Sequence, residues 1–406
     1  MGVTYNSCMP EPTIYLDNNA TTPMVAEVIE AMEACARCQH ANPASQHRPG
    51  REARNILESA RDRIAELLGA TVGSRGADRL IFTSGATEAN NLALCGLAGS
   101  PPGRVILSAI EHPSIWRVGE FLAQQGFEVQ TLPVDCHGLV QLEPLEDLVD
   151  EQTRLVSVMY ANHETGVLQP IPQVAAICNR FGVPLHTDAV QAVGKLAIEF
   201  ASMGVDALTL SGHKFHGPGG IGGLLLRSGT QLQPMLRGGH QQGAMRPGTE
   251  SVEPAVGICV ALESAIQKNL SGGHPLEAMR DSLEAKLCEL LPDVIIHCRE
   301  LARAPHTSQI SFLGTDRQAV VMALDQAGIA AATGAACESG ASEVSRTLLA
   351  MGCGPALLDS AVRLSVGSLN TMGEMDLAAQ RIAAKIRHLR EVNRWWRPIE
   401  AARRGV

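Results

Sequence analysis

Seven short runs of apolar and β-branched residues recur through the first two thirds of the chain. They are "RLIFTSG" (79–85), "RVILSAIEH" (104–112), "EVQTLPV" (128–134), "RLVSVMYAN" (154–162), "VPLHTDA" (183–189), "DALTLSG" (206–212) and "GGLLLR" (222–227). Helix-like stretches lie between several of them, such as "EANNLALCGLAG" (88–99) and "IPQVAAICNRFG" (171–182), the latter opening near a proline and stopping at a glycine. Strands this apolar need cover on both faces, and strand–helix–strand repetition supplies it, so the pattern predicts an α/β domain with a mostly parallel seven-stranded sheet. Upstream, "REARNILESARDRIAELLGA" (51–70) puts Ile56, Leu57, Ala60, Ile64, Leu67 and Leu68 on one helical face. After about residue 265 the pattern changes to long amphipathic helices, with short strands "TSQISFL" and "AVRLSVG" between them. The expectation is a large domain over 14–265 and a smaller α+β domain over 266–406, joined by residues 1–13.

Composition narrows the function classes. The 406 residues are 45% hydrophobic and 18% charged with a net charge of -9, and basic residues cluster only in the "RRGV" tail. Direct nucleic-acid binding and an anionic membrane partner are therefore poor expectations. The N-terminus has neither a basic start nor an apolar run, so no secretion signal or span is expected there. Eleven cysteines without regular spacing suggest reduced thiols and a cytoplasmic protein. No metal is expected: "CARC" (35–38) has no second pair, and His213 and His216 flank a lysine with no carboxylate nearby. "GPGGIG" (217–222) precedes a strand instead of opening a helix, which removes the dinucleotide reading. Trp395 and Trp396 are expected to cover a domain or dimer seam.

Unusual polar residues gather at the carboxyl ends of the predicted strands: Ser84 to Thr87, Glu111 and His112, Asn162 and His163, Asp188 and Gln191, then Ser211, His213 and Lys214. Open α/β sheets bind ligands at that edge. "SGATEANN" follows a strand and opens a helix, so the N–H groups of Ala86 and Thr87 and the Thr87 hydroxyl would face an anion; a plain N-cap is the alternative. Asp188 ends an apolar strand and needs a cationic partner, either a protonated ring nitrogen or a neighbouring arginine. His112 would cover a planar ligand or move protons. Lys214, on a glycine-rich turn in a cleft, suits a Schiff-base nucleophile. A phosphate cup, an aspartate, a lysine and a covering histidine together describe pyridoxal 5'-phosphate.

The segments "YLDNNATTP", "NPASQHRPG", "IFTSGATEANN", "IEHPS", "ANHETGVLQPI", "HTDAVQAVGK", "SGHKFHGPGGIGGLLLR", "MRPGTES", "TGAACES" and "VRLSVG" occur in that order. Over nearly the whole chain the sequence resembles the group I cysteine desulfurases of the bacterial sulfur-mobilising type, in the class V aminotransferase superfamily with its pyridoxal phosphate fold type I. His163 departs from the family's second Asn, His240 and Gly243 depart near the entrance, and "SEVS" replaces the family's "LEPS".

The resemblance implies that Lys214 carries the cofactor covalently, Asp188 pairs with the ring nitrogen, Gln191 and Asn162 bond the ring oxygen, and His112 stacks on the ring. It implies that Thr87, Ser211 and His213 hold the phosphate, with Thr249 reaching in from the other subunit of a homodimer. Arg363 would grip the substrate carboxylate, a task for its planar fork. Cys337, in a stretch of small residues, would be the persulfide cysteine that takes sulfur from L-cysteine, leaving L-alanine, and hands it to an acceptor protein such as an iron–sulfur scaffold or a tRNA-thiolation carrier. Selenocysteine lyase, a true aminotransferase and a non-catalytic scaffold remain as alternatives.

Overall fold

The computed structural model describes residues 13–38, 41–73, 76–270, 275–334 and 344–392. After a two-residue strand β1 (Ile14–Tyr15), the seven apolar runs become β2 (Arg79–Thr83), β3 (Arg104–Ser108), β4 (Glu128–Leu132), β5 (Thr153–Ser157), β6 (Leu185–Asp188), β7 (Ala207–Ser211) and β8 (Gly222–Leu226). They form one sheet in the order β2-β8-β7-β6-β5-β3-β4, in which β8 runs antiparallel to both neighbours. The strand pairs from β7 across to β4 are all parallel.

Alternate residues of each strand feed opposite cores, as the pleat requires. Leu224 and Leu226 join a cluster with the helices Ala86–Ala98 and Pro113–Gln124. Leu225 faces the other way, into a larger cluster with the helices Arg48–Leu67, Ile171–Arg180 and Val252–Leu270. The Arg48–Leu67 helix begins one turn earlier than its apolar face predicts, because His47 caps it: the His47 Nδ1 accepts the Gly50 N–H at 3.2 Å. Ala53, Leu57, Ala60 and Ile64 form its buried stripe.

A second, antiparallel sheet, β12-β10-β9, is built from β9 (Val294–Ile296), β10 (Thr307–Phe312) and β12 (Ala361–Ser365). The short strand β11 (Ile329–Ala330) pairs in parallel with β1. A separate hydrophobic cluster joins this sheet to the helices Pro275–Leu290, Arg317–Gln326 and Met372–Val392, and it includes Ile14 and Leu16. Among the described residues no helix is long and apolar enough to cross a membrane. Trp395 and Trp396 lie outside the described residues.

Candidate active site

The parallel strands end on one edge, and their following loops enclose a cavity of about 360 Å³ lined by Thr87, His112, Asp188, Gln191, Ser211 and Lys214, among others. A second chamber of about 160 Å³ shares His112, His163, Gln191 and Lys214 with it and extends to Trp116, Arg346 and Arg363. The two form one site with a common wall.

At one end the register of the sheet aligns Thr83, Gly222 and Ser211 across β2, β8 and β7. Gly222 has to be glycine, since a Cβ there would lie 2.7 Å from the Gly85 carbonyl carbon and 2.7 Å from Leu210 O. That close approach sets the start of the helix Ala86–Ala98, which no side chain caps. Glu88, the acid in its first turn, is turned aside: it accepts the Ser84 N–H at 2.6 Å and pairs with Arg246 at 2.7 Å. Ser211 Oγ is buried without a hydrogen-bond partner. His213 sits beside Thr21, its Nδ1 3.1 Å from the Thr21 hydroxyl, and burial, then the charges of Lys214 and Lys195, push its pKa down to about 4.

The opposite end is already bonded. Asp188 accepts the Asn90 side-chain N–H at 2.8 Å on one oxygen and the Val190 N–H at 3.0 Å on the other. Below it, the His186 imidazole bridges Ser157 and Thr209 at 2.9 and 3.0 Å, and burial holds its pKa down to about 4, so the ring is neutral. Glu111 accepts from the Ser108 hydroxyl at 2.6 Å and the Met159 N–H at 2.7 Å. Burial, with the Asp188 charge adding to it, pushes Glu111 up to about 8, so it is largely protonated at neutral pH.

Between the ends stands Lys214, in a 3-10 turn (Gly212–Lys214) just after β7, with Nζ 2.5 Å from the Asn19 carbonyl and 2.9 Å from that of Ala20. His112 caps the helix Pro113–Gln124; its Nδ1 accepts the Ser114 N–H at 3.1 Å, which leaves the proton of the neutral ring on Nε2. Burial lowers its pKa, partly opposed by Asp188. The His163 ring meets His112 edge to face at 5.5 Å, and burial keeps it neutral too.

Arg363 projects from β12 into the second chamber. Its Nη2 donates to Asp17 at 3.0 Å and its Nη1 to the His163 carbonyl at 3.0 Å, while Nε is buried without a partner. Two expected residues stand apart. Asn162 is fully buried beneath the wall: its Oδ1 accepts the N–H groups of Glu164 and Thr165 at 3.0 and 2.9 Å, and its amide donates to Ile110 O and the Thr347 hydroxyl, both at 3.2 Å. Its neighbour His163 lines the cavity in its place. Thr249 is exposed at a separate pocket with Ser84 and Arg246. Cys337 lies outside the described residues, although Gly334 and Val344, on either side of that stretch, both line the second chamber. Asn90 was visible inside "SGATEANN" but carried no signal of its own; only the fold brings it to Asp188.

The class-V aminotransferase family matches residues 14–377. The chain belongs to that family. Within it the relatives are cysteine desulfurases: NifS of Azotobacter vinelandii is 37% identical, with 94% of this chain and 95% of the relative covered, and IscS of Dictyoglomus turgidum is 35% identical, with 95% and 98% covered. Among solved structures a NifS-like protein superposes with a TM-score of 0.85 at 34% identity, covering 93% of this chain and all of the other. The fold is that of the pyridoxal phosphate enzymes of fold type I, and the family depends on that cofactor. This chain's residues fit it. The uncapped helix start and the unpartnered Ser211 hydroxyl suit a phosphate, the braced Asp188 carboxylate suits a protonated ring nitrogen, and Lys214 stands between them.

Proposed function

We propose that the chain is a cysteine desulfurase that converts L-cysteine to L-alanine and stores the sulfur as a persulfide on Cys337. The observation that carries the proposal is a single cavity bounded by Lys214, Asp188 and an uncapped helix start and continuous with a chamber holding Arg363. Bound pyridoxal phosphate supplies the electron sink for the carbanion formed at the substrate Cα. Lys214 would hold the cofactor covalently, its amine being the group that the amino group of L-cysteine would replace. Ala86, Thr87, Ser211 and His213 take the phosphate, with Thr249 completing the cup from the partner subunit of a homodimer. Arg363 trades Asp17 for the substrate carboxylate, and its pairing with the His163 carbonyl fixes the direction of the fork. His112, with its proton on Nε2, is a donor at the wall of the cavity. The Cys337 thiolate would attack the substrate sulfur: an S–S bond forms as the substrate Cβ–S bond breaks, the bonding pair stays with carbon, and protons taken up at Cβ and Cα give alanine.

The same proposal includes a large unit over 14–265 and a smaller one over 266–406 with 1–13. A hydrophobic core of its own in the second unit supports that division, although Ile14 and Leu16 pack into it and Ala304, Leu348 and Ala361 pack into the core of the first. It includes a cytoplasmic location and a protein acceptor for the sulfur, an iron–sulfur scaffold or a tRNA-thiolation carrier. Selenocysteine lyase is not favoured, because the relatives are cysteine desulfurases. The test is production of alanine and sulfide from L-cysteine under reducing conditions. Cys337→Ala is expected to retain the absorbance of bound pyridoxal phosphate and lose sulfide release; unchanged sulfide release in that variant overturns the assignment of Cys337.

A further inference from the structure

Behind the cavity wall, buried polar groups that no step above uses converge on one atom. Gln191, on the turn after β6, lines both chambers. Its Oε1 lies 3.4 Å from Lys195 Nζ and 3.3 Å from His306 Nε2, and its Nε2 donates to the Asn19 carbonyl at 3.2 Å. Lys195 is 4% exposed and His306 fully buried. Burying an amine this completely is costly, so its placement needs a reason. A protonated lysine can only donate and a backbone carbonyl can only accept. Turning the Gln191 amide over would therefore set its NH2 against the Lys195 amine and its carbonyl against Asn19 O. His306 cannot fix the orientation by itself, because an imidazole nitrogen either donates or accepts according to its tautomer.

We propose that Lys195 is a positioning residue: it holds the Gln191 carboxamide with its remaining N–H, not its carbonyl, toward the cavity, so that the site selects an acceptor there, the ring oxygen of pyridoxal phosphate. This rests on the cofactor assignment made above and extends it to the orientation of one amide. It explains why a lysine is kept at the back of a site that already holds Lys214. Burial, and then the Lys214 charge, push Lys195 down to about 7; a neutral amine still donates to Oε1, and the Asn19 carbonyl, which only accepts, keeps the amide in the orientation that allows it.

The full-length protein, as wild type, K195M and K195Q, each with Gln191 or with Q191A, is titrated with pyridoxal phosphate, and the absorbance of the bound cofactor is followed against pH. K195M is expected to weaken cofactor binding about tenfold, the worth of one hydrogen bond to a charged acceptor, and to move the pH midpoint of the absorbance change. K195Q, which keeps a donor, recovers part of both. In the Q191A background K195M adds nothing further, because the two residues act through one contact. Wild-type affinity and midpoint in K195M, or an equal loss with and without Q191A, overturn the proposal. Should K195M fail to fold, K195Q is judged on the same two readouts. Failure of the wild type to take up the cofactor defeats the functional assignment itself, a result distinct from either.

Discussion

The two ends of the cavity are built in opposite ways. Around Asp188 the carboxylate is bonded on both oxygens without a ligand: Asn90 and Val190 brace it, His186 bridges two hydroxyls below it, and Glu111 accepts from Ser108 and Met159 on one oxygen while its other oxygen is buried without a partner. Around Ser211 the contacts are left open: the hydroxyl is buried without a partner and the neighbouring helix begins without a cap. An unmade buried hydrogen bond destabilises the ligand-free protein and is recovered on binding, whereas a carboxylate bonded on both oxygens is oriented before the ligand arrives. The first end therefore preorganises, and the second retains.

The sharpest way to break this comparison lies at the bonded end. Glu111 has a folded pKa of about 8 against an ordinary value of 4.5. The folded state thus binds this proton more tightly than the unfolded chain, and the stability it contributes is present below pH 4.5 and lost as pH rises through 8. E111Q removes that dependence. Its stability relative to wild type should rise by roughly 2–4 kcal/mol between pH 5 and pH 8, read from denaturant unfolding of the ligand-free protein. A constant difference across that range would mean that Glu111 is ionised in the fold.

Next in size is Asn90→Ala, which takes a charge-assisted hydrogen bond from Asp188. It should destabilise the ligand-free protein by about 1.5–3 kcal/mol and weaken cofactor binding as well. Both effects carry the same sign, as expected of a prebuilt network. The smallest change has opposite signs in the two states. Ser211→Ala deletes an unsatisfied hydroxyl, so the ligand-free protein should unfold at the same denaturant concentration or gain up to about 1 kcal/mol, while cofactor binding weakens about fivefold to tenfold. A loss of ligand-free stability in this variant would remove the contrast between the two ends.

Much of this was legible in the sequence because it depends on local pattern. The seven apolar runs became the seven strands of the main sheet, and parallel pairing then brought Thr87, His112, Asp188, Gln191, Ser211 and Lys214 to one edge. What escaped depends on contacts between distant segments or on the direction of one side chain. Asn162 and His163 are adjacent, and the sequence gives no sign of which one faces the cavity. The turn decides it: the Asn162 side chain accepts the N–H groups of Glu164 and Thr165, an Asx turn that draws it inward and leaves His163 at the wall. Gln191 was expected to meet the ring oxygen, but its contacts come from distant segments: the Asn19 carbonyl near the N-terminus and His306, in the segment leading into the second sheet. Arg363 likewise meets Asp17 only because β12 lies beside the N-terminal segment.

The most direct measurement is borohydride reduction of the purified, full-length protein saturated with pyridoxal phosphate, followed by peptide mass mapping. The phosphopyridoxyl group should appear on Lys214 in a single peptide, and K214A should take up none. Labelling at Lys195 or at scattered surface lysines, with Lys214 unmodified, would contradict the assignment of the cavity and of the chemistry built on it.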